Sequence, residues 1–227
     1  KEGGIWIGTT GQGAHRFYLG SVSTLTTTHG LSGKIVLGLY EDSLNRVWMG
    51  TFGQGLNLRE NGTLKDFYGQ KELARKMIFS MADYGTNELL IGTWGNGLMI
   101  LGPDKVDFIT RDDGLIHNKV RVIRAGKAGD YWIGTNGGLS HFKDGKFENF
   151  TTKSGLASNK VYDLHLDENG DVWVGGSNGI EIIRDNQVVS LEAEGTLSSP
   201  AIRAIYKDAE GTVWIGTSGG GLNVLHE

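Results

Sequence analysis

The sequence contains no cysteine and only two prolines in 227 residues. Without cysteine there is no disulfide framework and no cysteine-ligated zinc site. The same absence suits either the cytoplasm or an extracytoplasmic bacterial space, so it leaves the compartment open. Charge of either sign is modest: 22 Lys and Arg stand against 26 Asp and Glu, for a net charge of -4. The basic residues are scattered, and a phosphate-binding surface needs them clustered, so no nucleic-acid partner is expected. No apolar run reaches the ~18 residues of a membrane-spanning helix, which argues against direct membrane insertion of this segment. No signal peptide is present either, but the chain starts in the middle of a repeat, which leaves room for a targeting segment upstream. With 38% hydrophobic residues and no charge blocks, the composition supports a sizeable core, not a disordered chain.

Glycine is abundant, with 37 copies that cluster in short recurring strings. The string apolar-Trp-apolar-Gly-Thr occurs at Ile5 to Thr9, Val47 to Thr51, Tyr131 to Thr135 and Val213 to Thr217. It recurs with one change each at Leu89 to Thr93, where Leu90 takes the tryptophan position, and at Val172 to Gly176. The key positions 6, 48, 90, 132, 173 and 214 are separated by 42, 42, 42, 41 and 41 residues. The two shorter intervals follow from loops at Asn136-Gly137-Gly138 and Ser177-Asn178-Gly179 that are one residue shorter than the preceding ones.

Turn signals divide each unit into four strands. In the fifth unit a strand at Val161 to Leu166 ends at the turn Asp167-Glu168-Asn169-Gly170, whose Asn-Gly pair suits positive φ. The Trp173 strand follows, then strands at Ile180 to Arg184 and at Gln187 to Leu191. A loop with Gly195 and Leu197 leads onward. Short strands on a period near 42 predict an all-β fold, a β-propeller of about six four-stranded blades. The repeats run approximately 1–33, 34–75, 76–118, 119–159, 160–200 and 201–227, read together as one domain or propeller segment. The first unit lacks its opening strand and the last stops after its third. Both ends therefore duplicate the second and third strands, so either six blades close with two strands missing or, as favoured, the chain is a segment of a longer array such as a seven-bladed propeller.

The pattern Gly-Leu-x-x-x-Lys-Val, then Asp-x-x-Gly-x-Val-Trp-Ile-Gly-Thr, then Gly-Gly-Leu resembles the two-component regulator propeller repeat. The residues that carry it best are Gly155 to Val161, Asp167 to Gly175 and Asp208 to Thr217. The third unit departs most, with Tyr84 to Asn87 in place of the acidic turn and Leu90 in place of tryptophan. The resemblance implies paired seven-bladed propellers in the periplasmic or extracellular sensor region of a membrane-anchored bacterial signalling protein. A histidine kinase or diguanylate cyclase output would then follow the membrane span.

Several tempting residues have plain readings. Trp6, Trp48, Trp132, Trp173 and Trp214, one per blade at a fixed position, predict packing between blades, not a sugar-stacking ladder. The glycine strings precede strands, so the helix N-terminus of a phosphate loop is missing. The acidic string Asp167 to Asp171 lacks calcium-loop spacing and reads as turn chemistry. The six histidines, His226 included, show no paired metal-ligand spacing, and no nucleophile elbow is present. No catalytic residue, metal or cofactor is therefore expected.

The residue after each Gly-Thr pair samples one propeller face: Thr10, Phe52, Trp94, Asn136, Ser177 and Ser218. Phe52 and Trp94 stand on adjacent blades, with Gln54 and Asn96 two residues further on. Aromatics beside amides combine an apolar platform with directional hydrogen bonds, as a sugar or peptide site requires. Entry loops carrying His29, Arg75, Arg111 and His117 are expected to border the same face. The candidate ligand-binding set is Phe52, Gln54, Arg75, Trp94, Asn96, His117 and Asn136, the alternative being that the aromatics cover a loop or meet a neighbouring domain. The expected function is non-catalytic: sensing an oligosaccharide or peptide, or docking a neighbouring propeller or output domain. The alternatives are a propeller lyase resembling streptogramin lyase and a purely structural scaffold.

Overall fold

The computed structural model describes residues 4–66, 71–127, 129–191 and 197–225. Six small antiparallel sheets follow one another along the chain as the blades of a β-propeller. Blade 1 holds β1 (Ile5–Gly8), β2 (Ala14–Tyr18) and β3 (Ser21–Leu25). Blade 2 holds β4 (Val36–Glu41), β5 (Val47–Thr51), β6 (Leu56–Glu60) and β7 (Thr63–Asp66). Blade 3 holds β8 (Ile78–Tyr84), β9 (Glu88–Thr93), β10 (Leu98–Leu101) and β11 (Val106–Ile109). Blade 4 follows with β12 (Val120–Ala125), β13 (Tyr131–Thr135), β14 (Leu139–Lys143) and β15 (Lys146–Phe150). Blade 5 holds β16 (Val161–Leu166), β17 (Val172–Gly176), β18 (Gly179–Arg184) and β19 (Gln187–Ser190). Blade 6 holds β20 (Ile202–Lys207), β21 (Val213–Thr217) and β22 (Gly221–Leu225). The three-stranded first and last blades match the sequence expectation. Gly195 and His226 lie outside the described residues.

The chain forms two compact units, Lys1–Phe108 and Ile109–Glu227. Within each, the opening strands of consecutive blades lie side by side: β4 against β8 in the first, β16 against both β12 and β20 in the second. Each blade's tryptophan-position strand also packs on the next blade's opening strand, β5 on β8, β13 on β16 and β17 on β20. Trp48 joins a core with Ile78 and Met81, Trp132 one with Val161 and Leu164, and Trp173 one with Ile202 and Ile205. The tryptophans therefore pack between blades, as their spacing predicts. Trp214, in blade 6, is 37% exposed.

The glycine of the repeated string is a contact point. A Cβ on Gly50 would lie 2.5 Å from Ile78 Cγ2, and one on Gly175 would lie 2.6 Å from Ile202 Cγ2. Only glycine lets the next blade approach this closely. The aspartate six residues before the tryptophan organises the turn and satisfies the indole. Asp42 Oδ1 accepts from the backbone N–H groups of Leu44 and Arg46, and its Oδ2 accepts from Trp48 Nε1 at 2.7 Å. Asp167 and Asp208 repeat the arrangement with Trp173 and Trp214. Turn chemistry thus accounts for the acidic string at Asp167. Gly170 takes positive φ there and Asn169 does not. The turn is closed by Gly170 N–H donating to the Asp167 carbonyl, and one glycine suffices.

The two departures from this pair explain each other. Leu90 is fully buried and has no N–H to satisfy, and Tyr84 stands where the aspartate would be. Blade 4 keeps Trp132 but has Gly126 at the aspartate position. There His141 stacks on the indole at 3.9 Å and donates from Nε2 to Asp130 at 2.5 Å.

Candidate functional site: the loop face and its bulges

In five of the six blades a threonine locks the loop between the Trp-position strand and the strand after it. Thr51 Oγ1 donates to the Gly55 carbonyl at 2.9 Å, and Thr9, Thr93, Thr135 and Thr217 make the same bond. Blade 5 has Gly176 in that position. The residue after the threonine donates its backbone N–H to the entry loop, as Phe52 does to Ile35, Trp94 to Met77 and Asn136 to Lys119. These bonds bring each entry loop and second loop together on one face, as the sequence reading expects.

In the first unit, Phe52 is 51% exposed. Trp94 is half-buried and tilts against Phe79 with ring centroids 5.3 Å apart. Asn96 accepts from Lys76 Nζ at 3.0 Å. Gln54 lies over the entry loop of its own blade, close enough that a Cβ on Gly33 would come within 2.2 Å of its Oε1. Arg75 is exposed in the next entry loop with φ of 61°. His29 caps its entry loop turn, Nδ1 accepting from Thr26 N–H at 3.2 Å, a structural task.

In the second unit, His117 packs over Gly137, and its Nδ1 accepts from Lys119 N–H at 2.9 Å. Burial lowers its proton affinity below the usual histidine range, and the charges of Arg111 and Lys119 add to that. Asn136 Oδ1 accepts from Arg121 Nε at 2.8 Å.

Arg121 belongs to a set that the sequence reading missed. In every opening strand the register skips one residue: Leu37, Phe79, Arg121, Tyr162 and Arg203. Each is a β-bulge, which re-aims one side chain and increases local twist. The second unit's bulges bring Arg121 over the Tyr162 ring at 4.7 Å and Arg203 over the same ring at 4.5 Å. Arg203 is exposed, and one of its terminal nitrogens lies 3.5 Å from Ser218 Oγ, so the residue after Gly-Thr again meets the bulge residue. A signal existed in the sequence. Aligning the units on tryptophan puts these five in one column, immediately after the β-branched column Val36, Ile78, Val120, Val161 and Ile202.

Among the described residues no group of three or more acidic or histidine side chains is placed to hold a metal ion. No helix of the described residues is long and apolar enough to cross a membrane.

Three stretches of the chain, residues 30–53, 155–178 and 196–219, match the model of the two component regulator propeller. No curated protein matches the chain. Among solved structures, the fold is similar to the extracellular domain of a hybrid two component system from B. thetaiotaomicron. That likeness has a TM-score of 0.81 at 22% identity and covers 99% of this chain and 33% of that one. The extracellular domain of a one component system from the same organism gives a TM-score of 0.79 at 17% identity, covering 99% and 34%. The chain thus spans about a third of those structures. Virginiamycin B lyase from Staphylococcus aureus gives 0.76 at 12% identity, covering 99% and 81%. At these identities the likenesses are of fold.

Proposed function

From a chain that carries two component regulator propeller repeats, we propose a non-catalytic sensing module in the extracytoplasmic part of a membrane-anchored signalling protein, with the loop face as the ligand-reading surface. The observation that carries this reading is the pairing of a constant scaffold with variable display. The threonine lock and the bulge recur from blade to blade, while the side chains they present change from Leu, Phe and Trp to Arg, Tyr and Asn. An enzyme of this architecture needs acids and bases gathered on one face, and the displayed residues offer aromatics, amides and guanidiniums instead. Ligand preference for one arrangement of the sensor would pass to the output as a population shift.

The test is a glycan and peptide array probed with the chain and with Phe52→Ala and Trp94→Ala variants, folding being checked by circular dichroism. We expect retention of a restricted ligand class, weakened about tenfold by losing either aromatic. Turnover of virginiamycin B, or no ligand on any array, would overturn the reading.

A further inference from the structure

We propose that the Arg121–Tyr162–Arg203 cluster of the second unit is a binding site for the carboxylate of a small organic ligand. This deepens the sensing proposal and rests on it for its biological meaning. The strand bearing Tyr162 lies between those bearing Arg121 and Arg203, so the two guanidiniums reach its ring from the two neighbouring blades. A guanidinium seated on an aromatic ring loses rotamer freedom, and its planar fork of donors is fixed before a ligand arrives. Asn136 adds a second constraint on Arg121 through Nε.

With a cation over it from each side, the Tyr162 ring is not a platform for stacking a sugar or a base. The cluster can offer a ligand positive charge and in-plane N–H donors, and a two-oxygen planar acceptor matches such a fork bidentately. Among the described residues no carboxylate pairs with Arg203. Burial holds Arg121 below the usual guanidinium range; Tyr162 opposes that effect and the charge of Arg203 adds to it. The two cations repel, and an anion bound beside the ring, at their N–H edges, relieves the repulsion. The chain as a whole is net negative, so this attraction is local to the cluster.

The experiment is calorimetric titration of the full chain at low salt with D-glucuronate, succinate, inorganic sulfate and, as the neutral control, D-glucose. We expect D-glucuronate to bind at least about tenfold more tightly than D-glucose, and added salt to weaken it. Arg203→Ala, at an exposed position, should lose about tenfold or more with thermal unfolding unchanged, Arg203→Lys should recover part of it, and Tyr162→Leu should weaken it. Succinate binding with the same dependence on Arg203 would support the carboxylate assignment. Sulfate binding as tightly as D-glucuronate would overturn it, as would equal affinity for D-glucose or an unaffected Arg203→Ala variant. The two proposals fail separately. Neutral ligands lost on Phe52→Ala, with no D-glucuronate binding, would sink the carboxylate site alone. Carboxylate binding that needs Arg203 but draws no signalling response from the full-length protein would sink the sensing role alone.

Discussion

The two units use one backbone device to opposite chemical ends. In the first, the opening-strand bulges present the apolar side chains Leu37 and Phe79, and Phe79 meets Trp94. In the second, the same bulges present Arg121, Tyr162 and Arg203, two cations about one ring. The surrounding bonds hardly differ: the threonine lock, the close-approach glycine and the tryptophan between blades occur in both. Blade architecture and displayed chemistry are separately specified.

If that is right, equivalent scaffold positions must behave alike in the two units. Trp48 and Trp173 are 4% and 1% exposed, so Trp48→Ala and Trp173→Ala should each cost about 3–5 kcal/mol. Urea unfolding followed by circular dichroism measures both, and a large inequality would break the equivalence.

A smaller effect concerns the two aspartates. Burial opposes ionisation of Asp42, but hydrogen bonds from Trp48 and Arg46 outweigh it and leave the carboxyl below its ordinary range. For Asp167, burial is likewise outweighed, here by Trp173, the Asp171 backbone and Lys207. A lowered native pKa gives stability that is present above the unfolded value of about 4 and lost as pH falls through the native one. Asp42→Asn and Asp167→Asn should each destabilise by about 1–2 kcal/mol at pH 7. Both should also show a shallower loss of stability below about pH 4 than the parent. Chemical unfolding across pH 2 to 7, a range of about five units, measures this; parallel pH profiles for parent and variants would refute the assignment.

A smaller effect still separates the blade 1 hairpin from its counterparts in other blades. The hairpins between third and fourth strands turn through Asn61-Gly62, Asp144-Gly145 and Asp185-Asn186, all at positive φ. Blade 1 uses Leu19-Gly20, with Leu19 at φ of 46° and 85% exposed. Leucine tolerates that region poorly, so Leu19→Asn should stabilise by about 0.5–1 kcal/mol, seen as a higher midpoint in the same urea titration. No gain would mean that the turn is not strained.

The strand order was legible because its markers are chemical necessities on a fixed period. Trp48, Trp173 and Trp214 take an aspartate acceptor for the indole N–H, the approach of the next blade needs glycine, and most of the tight hairpins take Asn, Asp or Gly. The bulges were not legible along a single strand, because an inserted residue breaks the alternation by which strand faces are read. Arg121, Tyr162 and Arg203 therefore carry no mark within their own strands, while Phe52 and Trp94 stand out as aromatics in glycine loops. His29, expected to border the face, also caps its own turn.

The donor and acceptor of the threonine lock stand at the two ends of one loop, so the backbone there holds its course whichever side chain follows the threonine. Each such position behaves as a socket. Substitutions can be combined there almost like interchangeable type, each read out independently of the others where the sockets are well separated. In blade 5, where Gly176 replaces the threonine, Ser177 sits in a socket without the latch, and there substitutions should disturb the loop itself.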